Sequence, residues 1–273
     1  MKRRVLPGFG LSLGYVMTWL GLIVLLPLAA LMFKSAALAP SGWWELLSAP
    51  RTLAALRLSF GGAVLAAAVN VVAGLLVAWV LVRHRFPGRR LFDALVDLPF
   101  ALPTAVAGIA LTAIYAPEGW LGRYLVPMGI KVAYAPLGVV VAMVFVGFPF
   151  VVRTLQPVLE SMEREVEEAA ASLGATRWQV FFRVVLPLLL PTLLTGFGLA
   201  LARAVGEYGS VIFIAGNIPR VSEITPLLIV EKLEEFNYAG AAALGVAMLV
   251  LSLLLLLLVS LLQRASRRWE LPR

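Results

Sequence analysis

Five of the chain's 15 acidic residues, Glu160, Glu163, Glu165, Glu167 and Glu168, crowd into nine consecutive positions. A second group with chemical capacity is Arg203-Ala204-Val205-Gly206-Glu207-Tyr208-Gly209-Ser210. Arg203 and Glu207 are four apart, so on a continuing helix they share a face and can pair. Tyr208 and Ser210 add hydroxyls that can donate to an anion. Covalent chemistry has no such support. His84 is the only histidine and sits among Arg83, Arg85, Arg89 and Arg90, whose charge repels a metal; it reads as solvated. There is no cysteine, which removes thiol chemistry and zinc–thiolate sites. The lysines at 2, 34, 131 and 232 lack the preceding glycine of a nucleotide-cradling loop. The pairs Gly8/Gly10 and Gly196/Gly198 lack the third glycine of a dinucleotide turn. No His-Glu-x-x-His or Gly-x-Ser-x-Gly occurs. The chain reads as non-catalytic, with no cofactor and no metal.

The elements that must carry these groups are apolar. Residues of the set AVILMFWYC make up 61% of the 273, charged residues only 14%, and mean hydropathy is +0.94. Six uncharged runs stand out: Val5–Phe33, Leu58–Val82, Leu98–Pro117, Val132–Val152, Val184–Ala202 and Phe236–Gln263. Each has, or nearly has, the roughly 20 residues that a bilayer-spanning helix needs. The expected fold is an all-α polytopic membrane protein of six transmembrane helices. A soluble enzyme, a secreted disulfide scaffold and an outer-membrane barrel are excluded, the last because barrel strands are short and alternate in polarity.

The formal charge of +8 is topological rather than a sign of nucleic-acid binding. With both termini cytoplasmic, 15 of the 23 basic residues fall on the cytoplasmic side: Lys2, Arg3, Arg4, Arg83, Arg85, Arg89, Arg90, Arg153, Arg164, Arg177, Arg183, Arg264, Arg267, Arg268 and Arg273. This is the positive-inside bias. The start of the chain superficially resembles a cleavable signal, but its apolar stretch is too long and Pro40 follows the small residues, so a retained first helix is expected. Trp43 and Trp44 suit an outer headgroup belt. Gly62, Ala66, Asn70, Gly74 and Ala78 repeat every four residues, a flat ridge for close helix packing, with Asn70 expected as interhelical glue more than as pathway lining. Pro99 and Pro103 break the third run, as pathway bends or as packing kinks.

The acidic cluster opens the longest cytoplasmic stretch, Arg153–Arg183. Ser161 is expected to cap a helix whose first turn carries Glu163 and Glu165, where the helix dipole favours negative charge. Ala169-Ala170-Ala171 continue it and Gly174 supplies the left-handed turn that ends it. Thr176 and Gln179 form a capping box for a second short helix, Arg177–Arg183. A helix, a sharp turn and a second helix result, a cytoplasmic hairpin projecting from the bilayer between the fourth and fifth spans, with the next membrane helix starting at Leu186-Pro187. Beyond Ser210 a mixed loop is expected up to Phe236.

Here the sequence resembles a family. Glu168-Ala169-Ala170, three residues, Gly174, nine residues, then Val184-x-Leu186-Pro187 is similar to the EAA loop of ATP-binding-cassette importer permeases, with Val184 in place of Ile. The resemblance implies a coupling helix that docks on an ATPase subunit, with Glu168, Ala169, Ala170, Gly174, Leu186 and Pro187 carrying the contact. A narrower likeness runs through Gly206–Pro219, Ser222–Ile229 and Asn237–Ala241 to sulfate/thiosulfate permease subunits. Molybdate permeases are similar around Gly206-Glu207, usually with Phe at the position of Tyr208, and phosphate permeases are more distant.

The resemblance implies two ATPase subunits, a second related permease in a heterodimer, and a periplasmic sulfate-binding protein. The molybdate alternative implies a homodimer. Setting and localisation follow: membrane lipid, no nucleic acid, the bacterial inner membrane, several passes. The chain divides into a first helix and outer loop (1–54), a type I transmembrane module of five helices (55–262, with the EAA loop at about 160–187) and a cytoplasmic tail (263–273). Arg203, Glu207, Tyr208 and Ser210 are pathway or gate candidates, against a plain interfacial ion pair. The other-class alternative is a secondary transporter driven by an ion gradient. Such proteins carry buried ionisable groups at mid-membrane and repeated halves, neither of which is visible here. A purely structural membrane scaffold is the third reading, and the hairpin argues against it.

Overall fold

The computed structural model describes residues 9–267, and among these all the regular secondary structure is helical. Lys2, Arg3, Arg4, Arg268 and Arg273 of the charge count, and Gly8, lie outside the described residues. The chain begins with α1 (Phe9–Ser35), α2 (Pro40–Ser48) and α3 (Pro50–Arg83). There follow α4 (Arg89–Val96), α5 (Leu98–Ala101), α6 (Thr104–Tyr115) and α7 (Gly122–Leu125). Then come α8 (Pro136–Ser161), α9 (Arg164–Ser172) and α10 (Arg177–Val205). The last three are α11 (Val211–Ile214), α12 (Thr225–Glu234) and α13 (Tyr238–Arg267).

Five helices, α1, α3, α8, α10 and α13, are each long and apolar enough to cross a membrane. The third expected span is different. A residue before proline is pushed out of the helical region, and Leu102, ahead of Pro103, is extended with ψ 135°. The run therefore splits into α5 and the 12-residue α6. At ~1.5 Å per residue α6 is about 18 Å long, against about 30 Å of hydrocarbon, so it cannot cross unaided.

Helices α3, α8 and α10 form the packed centre. The small-residue ridge predicted on α3 is its buried face: Gly62, Ala66, Asn70, Gly74 and Ala78 all lie inside. A Cβ on Gly74 would come 2.7 Å from Cγ1 of Val151 on α8, so the absent side chain sets the helix separation. Lipid gives helices no hydrophobic reason to associate, and this close backbone approach supplies dispersion contact instead. Leu155, Leu159, Leu189 and Leu201 fill the spaces beside the ridge. Asn70 is fully buried, but its amide has no hydrogen-bond partner among the described residues, so it is not the interhelical glue expected of it.

Two wide π-helical turns keep α1 and α10 continuous, at Gly21–Leu25 and Phe181–Val185. Each ends two residues before a proline, Pro27 and Pro187. Proline lacks an N–H and its ring crowds the carbonyl four residues back; a π turn makes room for both defects. The second hairpin helix therefore does not stop at Arg183 but runs on into the membrane helix. The segment after Ser210 is also more ordered than a loop. Val211 and Ile214 of α11, Ile224 just ahead of α12 and Leu228 within it are buried, whereas helices this short leave little periodicity to read. α13 packs on α10, α12 and the second half of α1. Of the tryptophan pair, Trp44 is exposed while Trp43 donates from Nε1 to the Ser35 carbonyl at 3.2 Å.

Candidate functional site

The hairpin is built by local rules. α8 persists through Ser161, whose hydroxyl donates back to the Val158 carbonyl at 3.0 Å, so Ser161 closes one helix rather than capping the next. Glu163 holds the N-cap position of α9 with no side-chain bond, and Glu165 and Glu167 occupy the first turn. The helix ends where Gly174 turns left-handed at φ +85°, a conformation costly to any residue with a Cβ. The predicted capping box is present: Gln179 N–H donates to Thr176 Oγ1 at 3.4 Å and Thr176 N–H to Gln179 Oε1 at 2.8 Å.

The resulting surface is unusual for a water-facing turn. Leu173 at the tip is 90% exposed and Trp178 73%, with Val166 also exposed and Trp178 stacked on Phe182. Glu168, Ala169 and Gly174 are exposed beside them, and nothing lies within 4 Å of the space a Gly174 side chain would take. At the base, Leu186 and Ala170 are half-buried and Pro187 is exposed. On the inner side a groove of about 390 Å³ separates the hairpin from Trp79 of α3, with Glu167, Glu168 and Arg177 in its lining.

The Arg203–Glu207 pair also forms, though not on one helix. α10 stops at Val205, and Glu207 folds back so that Arg203 Nη1 donates to Oε2 at 2.5 Å. The other carboxylate oxygen accepts from both the Ser210 N–H and its hydroxyl, each at 2.8 Å. Glu207 is 2% exposed and the Arg203 side chain 32%, so the carboxylate is the buried partner. Ser210 is fully buried with its hydroxyl spent on Glu207, so in this conformation it does not face a pathway. Tyr208 is half-buried against the core. The turn fits closely on the broken third run. A Cβ at Gly209 would lie 2.2 Å from Thr104 Oγ1, and one at Gly108 would lie 2.4 Å from the Ser210 carbonyl oxygen.

Three further polar networks join residues distant in sequence. Arg153 of α8 forks onto Asp97 at 2.7 and 2.6 Å and reaches Asp93 at 2.7 Å, tying α4 and the broken run to α8. Gln156 donates to the same Asp93 oxygen at 2.9 Å, and this bond, with Arg153 behind it, holds the Asp93 carboxyl below its usual range. Arg51 at the start of α3 forks onto Glu223 at 2.8 and 2.6 Å and also bonds Glu231 of α12. Arg83 at the other end of α3 donates to Glu167 of the hairpin at 2.7 Å.

The structure is thus a helical bundle with a close-packed three-helix centre, a broken third run and an exposed hairpin formed by α9 and the start of α10. Residues 70–268 match the family of binding-protein-dependent transport system inner membrane components, and the chain belongs to that family. It is thus a multi-pass membrane subunit of an ATP-binding-cassette transport system, a transport component rather than an enzyme. It is 51% identical to the sulfate transport system permease protein CysT of Synechocystis sp., over 95% of this chain and 91% of the relative. To the protein of the same name from Escherichia coli it is also 51% identical, over 98% and 97%.

Several solved structures share its fold, two of them as follows. One is a bacterial alginate ABC transporter in complex with alginate pentasaccharide-bound periplasmic protein, with TM-score 0.76, 18% identity and 93% of each chain covered. The other is the inward-facing MetNI methionine ABC transporter, with TM-score 0.56, 20% identity and coverage of 84% and 98%. The family resemblance read from Glu168-Ala169-Ala170 and Gly174 is borne out, and the ion-gradient alternative falls. Membership implies separate ATPase and binding-protein partners.

Proposed function

We propose that this chain forms half of the pore of an importer for sulfate and thiosulfate in the bacterial cytoplasmic membrane. The observation that carries the reading is the hairpin: an exposed Leu173, Val166 and Trp178 beside Glu168 and Ala169 on a left-handed turn that leaves open space. Apolar side chains held out on such a turn suit the groove of a partner protein. The permease would stand with a second, related permease above two ATPase subunits, and receive its anion from a periplasmic sulfate-binding protein. Identity of 51% to sulfate permeases over nearly the whole chain supports this oxyanion over molybdate.

In this arrangement both termini are cytoplasmic, α5 and α6 together make the third of six crossings, and the Arg203–Glu207 pair acts as a gate. Glu207 holds the guanidinium in the closed state, and release frees Arg203 for a doubly charged anion. Tyr208 and Ser210 then offer neutral donors to the same anion. Donors that bind without trapping are what conduction requires. Co-purification in detergent tests the assembly. Two ATPase subunits and a second permease should appear, and the associated binding protein should take sulfate in preference to molybdate. A homodimer, or a preference for molybdate, overturns the reading.

A further inference from the structure

α3 is held by an arginine at each end. At one end Arg83 Nη2 donates to Glu167 Oε1 of the hairpin at 2.7 Å and to the Met162 carbonyl at 3.5 Å. Its guanidinium carbon lies 5.5 Å from the centre of the Trp79 ring, and Trp79 in turn meets Phe181 edge-on at 5.9 Å. One side chain of α3 thus touches the helix before the hairpin turn, the linker into it and, through Trp79, the π turn after it. The Arg83 side chain is only 10% exposed. A cation so placed cannot easily give up its carboxylate, because the exposed alternative is missing and an unpaired charge would remain inside.

At the other end Arg51 bonds Glu223, itself 2% exposed, and Glu231. Nearby, the Thr225 N–H donates to Ser59 Oγ of α3 at 2.9 Å. Glu223 and Thr225 continue the chain that leaves Glu207 and Ser210 through α11. Between the two clamps α3 is one unbroken helix of 34 residues, about 50 Å long at ~1.5 Å per residue. Its ridge is seated directly on α8 and α10. A rigid element fixed at both ends passes on a displacement; a loop would absorb it.

We propose that α3 is the rod that gears the hairpin to the segment 206–225, and that Arg83 is its positioning residue at the hairpin end. This rests on the hairpin being the ATPase dock. When the dock moves, Glu167 carries Arg83 with it, α3 shifts along its small-residue face, and Arg51 moves Glu223 at the far side.

The test uses the whole transporter in proteoliposomes with sulfate-loaded binding protein, and reads sulfate taken up per ATP hydrolysed. That ratio is taken only over assembled, hydrolysing complexes, so it does not follow mere loss of stability. Arg83→Gln and Glu167→Gln should each lower the ratio about ten- to a hundredfold, the scale of one charge-assisted hydrogen bond. The reversed pair, Arg83→Glu with Glu167→Arg, should recover at least half of it. Glu167→Gln, on the more exposed side, carries the test alone if the Arg83 variant does not accumulate. Single variants that couple like the unaltered protein, or a reversed pair no better than the singles, overturn the rod. A cysteine in place of Leu173, in a chain without native cysteine, separates the two readings. If it cross-links to the ATPase while the ratio stays unchanged, the rod fails alone. If it does not cross-link, the dock fails and the rod with it.

Discussion

The amide of Asn70 on α3 lies over the Cα of Gly147 on α8, and a Cβ at 147 would come 2.6 Å from the Asn70 amide nitrogen. Ala200 of α10 borders the same spot, 3.5 Å from that Cβ position, so three helices meet there. Asn70 thus does by shape what it does not do by hydrogen bonding.

The contact predicts a coupled pair of substitutions. Gly147→Ala alone should destabilise the chain by about 1–3 kcal/mol, because the overpacked amide has nowhere to go. Asn70→Ala leaves no partner unpaired and removes a buried amide that has no partner of its own, so the cost of its lost volume is partly offset. The double variant should be more stable than the sum of the single effects by about 1 kcal/mol or more. Thermal unfolding in detergent, by the loss of a folded peak on size exclusion, measures all four proteins. Strict additivity would mean that the two residues do not touch.

Gly174 supplies a second prediction. Its left-handed φ penalises any Cβ, while the space around it is empty within this chain. Gly174→Asp should insert into the membrane normally, lose ATPase association and abolish uptake. Gly174→Asn should keep more activity than Gly174→Ala, since Asn tolerates the left-handed region. If the aspartate variant transports normally, the hairpin is an ordinary solvated turn.

The hairpin is legible in the sequence because its determinants are local. Gly174, Thr176 and Gln179 lie within six positions and each acts on its own backbone. The ridge of α3 was equally legible, since a four-residue repeat is a helix face. Partners far apart in sequence were not. Arg153 with Asp97, Arg51 with Glu223 and Arg83 with Glu167 are 56, 172 and 84 positions apart, and each looks like an ordinary charge near a helix end. Pro103 announced a break but not that the remaining helix would be too short to cross. The Ser161 hydroxyl suits both the end of one helix and the start of the next, and only the length of α8 decides that it closes the first.

The Asp93 network gives a pH dependence. Its carboxyl is held below the ordinary value of 3.8, first by the Gln156 amide and then by Arg153. A depressed pKa contributes stability above the unfolded value, and that contribution is lost as pH falls through the folded one. Unaltered protein should therefore unfold at a higher temperature than Asp93→Asn at pH 6, with the gap closing below about pH 4. The gap should be modest, since Asp93 is 42% exposed and solvent screens the pair. An equal gap at pH 6 and pH 3 would remove the carboxylate from the account.

The gate is tested by the asymmetry of its pair. Glu207 is the buried member and holds three donors, Arg203 and both groups of Ser210. Glu207→Gln removes the charge that holds Arg203 but keeps an oxygen for Ser210, so the turn between α10 and α11 survives. Arg203→Gln instead leaves a buried carboxylate short of its cation, which costs more than leaving the half-exposed Arg203 guanidinium without its carboxylate. The two variants should therefore differ. Glu207→Gln should assemble at normal yield and hydrolyse ATP faster without sulfate-loaded binding protein, because the closed state has lost its latch. Arg203→Gln should assemble less well and lose uptake. The double variant should regain the yield, the buried charge being gone, but not the uptake. Basal ATP turnover, complex yield and sulfate uptake in the three proteins decide the matter. If all three behave like the unaltered chain, Arg203 and Glu207 only close the end of a helix.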